Sequence, residues 1–312
     1  MGYQYDKIEL EEILISHDYL FYPNHKLGSG AFGHVYLGRK IKDNKIIAVK
    51  VEKKKKEQDD KSMLKLEHII LRHINEKCTN FGFSYIYCFI ETDKYSFLIT
   101  SVLGKNLYEL LKLCNGKFSI KTTLMIGIQL IDRIEQLHKS NYIHRDIKPE
   151  NFLIGTNGHK DIIHIIDFGL SKKFKSESTD KHRKISNENN PVGTPRYMSI
   201  NTLRGIEQSR RDDMESIGYV LIYFLNGKLP WQGLNISNKQ KRYKKLLHKR
   251  LKISVKKLCK DLPKCIYSYM MLVRTLKYDD DVNYSHLRKL FVNEMFERDI
   301  CYDCSWDWLS KI

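Results

Sequence analysis

The sequence predicts an α+β fold of two lobes, in which a small strand-rich lobe with one main helix precedes a larger, mainly helical lobe. Two patterns predict this fold. Before residue 104, apolar residues occur in short runs typical of strands. After residue 104, they recur at helical spacing over longer segments. We therefore divide the chain into an N-terminal extension at 1–20, a first lobe at 21–103 and a second lobe at 104–312.

The elements of the first lobe follow from these patterns. Short apolar runs predict strands, and one longer segment between them has the spacing of a helix. In chain order, the assignments are strands at 35–39 and 46–51, a helix at 63–74, and strands at 85–90 and 95–101.

The second lobe contains two long helical patterns. Ser119 is a suitable N-cap, because its hydroxyl can accept a hydrogen bond from the first turn of a helix. A second apolar helix, 211–226, should end before Gly227. The polar stretch 172–190 has few apolar residues and predicts a long loop. The apolar positions that recur after Ser119 are Leu124, Ile128, Ile131 and Ile134.

The net charge of +17 restricts the classes of partner. Much of this charge lies at 53–56, 172–175 and 239–260. Such surfaces attract acidic peptides, phosphorylated peptides, nucleic acid or anionic lipid. Charge alone does not choose among these partners, and a solvated face is the alternative interpretation. We assign no role to the insertion at 53–60.

The composition predicts an intracellular protein. The chain has no run of about 18 apolar residues, and its start mixes charged with apolar side chains. Its seven cysteines are odd in number and scattered, which suits reduced thiols. Cys301 and Cys304 form one CxxC without a second pair, so packing is favoured over a zinc site. We expect a cytoplasmic location, with the basic run 239–242 as a candidate nuclear address.

The run HRDIKPEN at 144–151 places a carboxylate, an ammonium and an amide at fixed short spacing. Phosphoryl transfer to a hydroxyl needs a carboxylate that orients the nucleophile, a cation near the migrating phosphate and a metal ligand. Asp146, Lys148 and Asn151 can supply these three groups. Asp167 follows the apolar strand IIHII and adds a second hard oxygen, so we expect Asn151 and Asp167 to hold Mg²⁺ at nucleotide phosphates.

Glycines in the run GSGAFGHV are candidates for phosphate binding. Gly28, Gly30 and Gly33 lead into a strand-like run and not into a helix. This context favours a glycine-rich hairpin whose backbone amides cover nucleotide phosphates. A plain tight turn is the alternative.

Lys50 ends the apolar run IIAVK and is a candidate ligand of the α- and β-phosphates. It needs a carboxylate that fixes its position. Glu67 on the predicted helix is favoured as this partner, whereas Glu52 is interpreted as a surface charge and Glu57 as part of a charged loop.

The order of the glycine loop, Lys50, Glu67, HRDIKPEN and the DFG run at 167–169 resembles a eukaryotic protein kinase over residues 22–308. Lys148 is typical of the serine/threonine class. The chain lacks the usual APE tripeptide, and instead has segments similar to the casein kinase 1 family, which vaccinia-related kinases match less well. These segments are SIN at 199–201, GIEQSRRDD at 205–213 and LPWQGL at 229–234.

The resemblance implies a bilobal protein-kinase fold, with a small antiparallel β-rich N-lobe that carries one main helix and a larger, mainly α-helical C-lobe. It also implies roles for matching residues. Asp146 would be the catalytic base, with Lys148 beside the γ-phosphate and Thr194 supporting both. Asp213 would hold the catalytic loop in place.

Nucleotide binding is likewise implied by the resemblance. Lys50 and Glu67 would form a lobe-bridging ion pair, and the connector 101–103 would bind adenine through its backbone. Each apolar residue in the list at the end of this paragraph, taken singly, is equally compatible with an ordinary position in the hydrophobic core. Thr100 stands where the family commonly has methionine, which should open a rear pocket. The implied ATP-binding residues are Leu27, Gly28, Ser29, Gly30, Ala31, Phe32, Gly33, Val35, Ala48, Lys50, Glu67, Thr100, Ser101, Leu103, Leu153 and Ile166.

Recognition of acidic or phosphorylated substrates is a further implication, and it requires a basic pocket beside the site. The positions that match the family's anion site are Arg196, Gly233 and Arg242. In the family a second basic cluster uses an activation-loop lysine, which is replaced by an uncharged residue here. The matching positions of that cluster are Arg145, Lys172 and Asn189.

Two other hypotheses compete with the interpretation that the protein is a serine/threonine kinase that uses ATP and Mg²⁺. A pseudokinase scaffold would bind anionic partners through its basic face, although every catalytic position is filled. A nucleic-acid-binding protein would rest on charge alone, because no dedicated motif is present, and we do not expect this partner. We expect a monomer without a membrane span that acts on proteins with acidic or phosphorylated motifs.

Overall fold

The computed structural model describes residues 12–30, 33–54, 62–77, 81–156, 158–176, 178–187, 190–234 and 236–311. Its contacts divide the chain into unit 1, which ends at Leu103, and unit 2, which begins at Gly104. Each unit has its own buried residues, and each is described by itself.

Unit 1 is built on one antiparallel sheet. Its elements are β1 (Ile13–Ser16), β2 (Tyr19–Gly30), β3 (Gly33–Lys40), β4 (Lys45–Lys53), α1 (Met63–Lys77), β5 (Ile86–Glu91) and β6 (Tyr95–Ser101). The six strands follow the order β1-β2-β3-β4-β6-β5. The four strands and the helix predicted from the sequence are confirmed as β3 to β6 and α1, with ends shifted by three residues or fewer.

A hydrophobic cluster covers one face of this sheet. Side chains alternate between the two faces of a strand, so Ile47 and Val49 of β4 lie on the same face. Burial of each such side chain stabilises the fold by about 1.5–3 kcal/mol. Ala48 and Lys50 consequently lie on the opposite face. The buried members of the cluster are Tyr19, Phe21, Ile47, Val49, Phe97 and Ile99.

The sheet begins earlier in the chain than the sequence predicts. β1 and the start of β2 fall within 1–20, which we expected to be an extension, while 1–11 are not among the described residues. The pairing of β2 with β3 shifts register between Phe21 and Lys26 and again before Gly28. Such irregular pairing interrupts the alternation of apolar and polar residues, so periodicity does not reveal this strand.

Unit 2 is mainly helical in its described residues. Two short antiparallel pairs join β7 (Tyr142–Ile143) to β10 (Lys172–Lys173) and β8 (Phe152–Ile154) to β9 (Ile163–Ile165). Apart from β10 and an isolated bridge, the described part of the predicted loop 172–190 is irregular. The helices are α2 (Leu107–Leu113), α3 (Ile120–Lys139), α4 (Ile200–Leu203), α5 (Arg210–Asn226), α6 (Lys239–Leu251), α7 (Val255–Leu258), α8 (Lys264–Thr275) and α9 (Tyr284–Glu297).

Both predicted helix boundaries in unit 2 are confirmed. The Ser119 hydroxyl accepts a hydrogen bond from the Thr122 N–H at 3.1 Å and so caps α3. Helix α5 ends at Gly227, whose φ of 72° is left-handed and suits glycine. Helix α3 packs closely on α9, since a Cβ added at Gly127 would lie 2.8 Å from the ring of Phe291.

The C-terminal residues are anchored to the start of α3. The Asp307 carboxylate accepts hydrogen bonds from the Ser119 N–H at 2.6 Å and from its hydroxyl at 2.7 Å. The rings of Trp306 and Trp308 stack with centroids 5.0 Å apart, and Trp308 also packs on Phe118. Within the described ranges, no helix is long and apolar enough to cross a membrane.

Candidate active site

The HRDIKPEN loop lies between β7 and β8 and surrounds one buried carboxylate. Lys148 Nζ lies 2.5 Å from Asp146 Oδ2, and the Thr194 hydroxyl donates to Oδ1 at 2.7 Å. The Asn151 amide donates to the backbone oxygen of Asp146 at 2.9 Å. The structure thus brings together Asp146, Lys148, Asn151 and Thr194, as the sequence predicts.

Asp213, on the first turn of α5, holds the backbone of this loop. Its carboxylate accepts hydrogen bonds from the His144 N–H at 2.7 Å and the Arg145 N–H at 2.9 Å. Arg145 has a left-handed φ of 69°, which is strained for a residue with a Cβ. The two N–H groups that donate to the same carboxylate stabilise this turn and thereby set the direction of Asp146.

Asp213 also forms a hydrogen bond with the neutral side chain of His138. His138 Nε2 lies 2.9 Å from the Asp213 carboxylate, and His138 Nδ1 lies 2.7 Å from the Tyr284 hydroxyl. Burial lowers the pKa of His138, although the bond to Asp213 opposes this effect. The neutral ring therefore donates from Nε2 and accepts the Tyr284 proton at Nδ1. Burial alone would raise the pKa of Asp213, but the bond from His138 and the nearby N–H groups lower it overall.

His144 also shapes the loop, although the sequence reasoning gave it no role. Its fully buried ring accepts from the Asp146 N–H at Nδ1 and donates from Nε2 to the Ile166 carbonyl at 3.1 Å. The ring also contacts Phe168 edge-on, at 5.5 Å between centroids. The signal for this role was its place in HRD, two residues before the carboxylate that it positions.

The two expected metal ligands lie on neighbouring strand ends. The Ile166 N–H donates to the Asn151 carbonyl at 3.0 Å, which places Asp167 beside Asn151. Because the Asn151 amide nitrogen donates to Asp146, its side-chain oxygen is the atom left to act as a ligand. No cluster of three or more His, Cys, Asp or Glu occurs in the described chain. Two hard oxygens fit Mg²⁺ that is shared with nucleotide phosphates.

In unit 1, Lys50 and Glu67 form the predicted ion pair. Lys50 Nζ lies 2.5 Å from Glu67 Oε2, and the side chains are only 15% and 7% exposed. The expectation that this pair bridges the lobes is wrong, because both residues belong to unit 1 and the pair joins β4 to α1. A buried pair of this kind holds the ammonium in one position.

The interpretation of Glu52 as a surface charge is also wrong. Its carboxylate accepts hydrogen bonds from the Ser62 hydroxyl at 2.5 Å and from the Leu64 N–H at 3.2 Å. A carboxylate at a helix N-terminus satisfies free N–H groups and interacts favourably with the helix dipole. Glu52 therefore positions the start of α1, the helix that carries Glu67. Its competitor Glu57 is not among the described residues.

The glycine run forms the end of the β2–β3 hairpin, as its strand context predicts. Gly28 pairs with Val35, and Gly30 pairs with Gly33. A Cβ at Gly33 would lie 2.2 Å from the Val51 carbonyl, so no larger residue fits there. The structure places Leu27 and Ser29 on exposed positions of β2. Ala31 and Phe32, which were also predicted to bind ATP, are not among the residues that the structure describes.

The other residues that are predicted to bind ATP are distributed over unit 1 and unit 2. Ala48 pairs with Thr100 across β4 and β6. Ser101 ends β6, and its N–H already donates to the Tyr85 carbonyl at 3.0 Å. Val35, Leu103, Leu153 and Ile166 are half-buried, and Ala48 is buried.

Hydrogen bonds join the backbone at Arg196 to α6, the helix that carries Arg242. Arg250 of α6 donates to the carbonyls of Pro195 and Arg196 at 2.7 and 2.8 Å, and the Trp231 indole N–H also donates to Arg196 O. The Arg196 guanidinium lies 5.6 Å from the centroid of the Tyr223 ring. Gly233, with a φ of 75°, follows Trp231. Arg196 and Arg242 are both half-buried.

The second basic cluster differs from the expectation. Lys172 Nζ lies 2.7 Å from Glu207 Oε1, and Arg145 donates from Nε to the Leu170 carbonyl at 2.6 Å. Burial would raise the pKa of Glu207, but the bond from Lys172 lowers it overall. Lys172 therefore already has a carboxylate partner from the chain itself. Asn189 lies outside the residues that the structure describes.

Comparison with known proteins agrees with this geometry. Residues 21–301 match the protein kinase domain family. The chain is 39% identical over 286 residues to a probable casein kinase I homolog of Encephalitozoon cuniculi (strain GB-M1), and the match covers 92% of each chain. The chain therefore belongs to the protein kinase family and, within it, to the casein kinase 1 group of serine/threonine kinases.

Proposed function

We propose that the protein is a catalytically active kinase that transfers the γ-phosphate of ATP to serine or threonine hydroxyls near acidic or phosphorylated residues. The observation that supports activity best is the Asp146 carboxylate, held by Lys148 on one oxygen and by Thr194 on the other. A pseudokinase scaffold has no need for a carboxylate oriented from both sides.

Asp146 orients the substrate hydroxyl and accepts its proton as phosphoryl transfer proceeds. Lys148, 2.5 Å from Asp146, places a positive charge beside the same atoms and offsets the negative charge of the transferring group. Asp213 keeps the loop backbone in the geometry that aims both side chains. No covalent enzyme intermediate is required, because positioning and charge neutralisation accelerate the reaction.

Asn151 and Asp167 would hold Mg²⁺, and the ion would neutralise charge on the ATP phosphates. Lys50, fixed by Glu67, would bind the α- and β-phosphates. The glycine hairpin would contribute backbone N–H groups to the phosphates.

Phosphate transfer to casein tests the activity. With γ-labelled ATP, we expect the wild-type protein to label casein and Asp146→Asn to lower the rate by about 10²–10⁴-fold. Thermal unfolding of the variant serves as the control for folding. If wild-type protein binds ATP but transfers no label, the scaffold hypothesis replaces the kinase hypothesis.

The preference for acidic or phosphorylated substrates rests on Arg196, Gly233 and Arg242, and a peptide array tests it. We expect peptides with a phosphoserine near the acceptor to have a higher kcat/KM than matched neutral peptides. Arg196→Gln with Arg242→Gln should lower this preference by about 10–100-fold, the value of a charge-assisted hydrogen bond. The rate on neutral peptides should not change. Equal preference in the wild-type and double variant would contradict the role of these arginines.

A further inference from the structure

Unit 2 contains a concave region whose lining includes none of the residues assigned to phosphoryl transfer. This cavity of about 560 Å³ is formed by the end of α3, the segment after β10, the first turn of α5 and the start of α9. Its volume lies within the range of small-molecule sites in proteins. We call it the α3–α9 cavity.

Two cations in the cavity wall are paired with carboxylates that lie in solvent. Arg210 is only 10% exposed, and its NH1 lies 2.6 Å from Asp281, a side chain that is 93% exposed. Lys175 is 32% exposed, and it lies 3.3 Å from Asp180, which is 85% exposed. Because both carboxylates remain hydrated, their ion pairs are weak, at about 1 kcal/mol or less for the more exposed pair of Lys175 and Asp180. Another anion can therefore displace these carboxylates at little cost.

The Arg210 guanidinium is held in place independently of Asp281. It stacks over the Phe174 ring at 4.7 Å and donates from NH2 to the Asp279 carbonyl at 3.0 Å. Its Nε is buried and makes no hydrogen bond to the described residues. Because Phe174 precedes Lys175, the same short segment presents an apolar ring and an ammonium to the cavity. A planar cation with these fixed neighbours is preorganised for a carboxylate or phosphate.

One hydrogen-bonded chain runs from the cavity wall to the catalytic loop. Tyr284 and His138 both line the cavity, and the Tyr284 hydroxyl donates to His138. His138 donates in turn to Asp213, which holds the N–H groups of His144 and Arg145. A ligand that reorients the Tyr284 hydroxyl changes the hydrogen bonding of His138.

We propose that the α3–α9 cavity binds a small anionic ligand, whose phosphate or carboxylate group replaces Asp281 and Asp180 as the partner of Arg210 and Lys175. Ligand binding changes the hydrogen bond between the Tyr284 hydroxyl and the His138 ring. The site is distinct from the substrate anion site at Arg196 and Arg242, and its ligand binding does not depend on the proposed kinase activity.

Calorimetric titration with phenyl phosphate and, separately, with benzoate tests the site. A background with both Arg196→Gln and Arg242→Gln removes the substrate anion site as a competing target. Against this background we expect Lys175→Met to weaken binding by about 10-fold or more, because a charge-assisted hydrogen bond is lost. Asp281→Asn and Asp180→Asn should each tighten binding by about 2–5-fold, because an internal competitor is removed.

The matched control is Asp43→Asn. Asp43 is an exposed carboxylate that pairs with Lys40 at 3.5 Å in unit 1 and does not line the cavity. This variant changes the net charge by the same amount and should leave the affinity unaltered. If the Asp43, Asp180 and Asp281 variants all bind the probe with the same affinity, long-range charge explains the result and the proposed site is refuted. Binding of only one of the two probes identifies the group as phosphate or carboxylate, and binding of neither refutes the proposal.

Coupling to the loop has its own readout. We expect the imidazole ¹⁵N signals of His138 to shift on ligand binding in the wild-type protein but not in Tyr284→Phe, which lacks the hydroxyl. Unshifted signals in the wild-type protein at saturating phenyl phosphate would overturn the coupling, whether or not the protein phosphorylates casein.

Discussion

The Thr194 hydroxyl donates a hydrogen bond of 2.7 Å to the Asp146 carboxylate, although the two residues are 48 positions apart in the chain. The other oxygen of this carboxylate faces Lys148 at 2.5 Å. A carboxylate held on both oxygens has one orientation, so the atom that accepts the substrate proton stays in place.

Removal of the Thr194 hydroxyl should slow catalysis without affecting nucleotide binding. We expect Thr194→Val to lower kcat by about 10–100-fold, because a hydrogen bond to a charged group is lost. Thr194→Ser keeps the hydroxyl and should retain most of the activity. Steady-state kinetics with a peptide substrate measure both variants. An unchanged kcat in Thr194→Val would show that Lys148 alone orients Asp146.

Lys50 and Glu67 should act as one unit. Lys50→Met and Glu67→Gln are each expected to lower kcat/KM for ATP, since either change leaves the ammonium absent or unfixed. The double variant should be hardly worse than Lys50→Met, because the carboxylate acts only through the lysine. Additive losses in this double-mutant cycle would mean that Glu67 has a separate function.

Thr100 should determine sensitivity to bulky inhibitors. It is half-buried on β6, opposite Ala48, and its side chain is smaller than the methionine that the casein kinase 1 family commonly has there. We expect pyrazolopyrimidine-type inhibitors with large aromatic groups to bind the wild-type protein more tightly than Thr100→Met. Inhibition curves at matched ATP saturation measure the difference. Equal affinities would rule out a rear pocket behind Thr100.

Asp212 should make stability depend on pH. This carboxylate is buried at the start of α5, where it accepts hydrogen bonds from the Ser199 hydroxyl and from the Ser209 N–H at 2.8 Å. Burial raises its pKa from 3.8 to about 7, with the bond from Ser199 opposing this shift. Between these values the folded state binds more protons than the unfolded state. Stability from this group therefore falls as pH rises through that window.

Urea unfolding between pH 5 and pH 8 measures this effect against Asp212→Asn, which cannot titrate. We expect the free energy of unfolding of the wild-type protein to fall relative to the variant by up to about 1.4 kcal/mol per pH unit below pH 7, and to level off above it. Parallel curves for the two proteins would show that Asp212 stays ionised in the folded state.

Sequence reasoning predicted best where residues are close in the chain or where a spacing fixes the face. Lys148 is two residues from Asp146, and Ser119 precedes its helix directly. The partners of charged side chains were harder to predict where the two residues are far apart in the chain. Sequence alone places Glu52 on the surface, because its hydrogen bonds with residues 62 and 64 depend on how α1 packs. Sequence alone gives no reason to pair Lys172 with Glu207, which is 35 positions away.

By itself, the sequence determined the class of chemistry and the family, because the order and spacing of its motifs carry both, and it determined the main elements of unit 1 and two helices of unit 2, because spacing along strands and helices decides which side chains share a face. Apart from the predicted pair of Lys50 and Glu67, only the tertiary structure decided which charges are neutralised. It paired Lys172 with Glu207, and Arg210 with Asp281. The physical reason is that an electrostatic interaction depends on distance in space and on burial, and neither quantity can be read from positions in the chain.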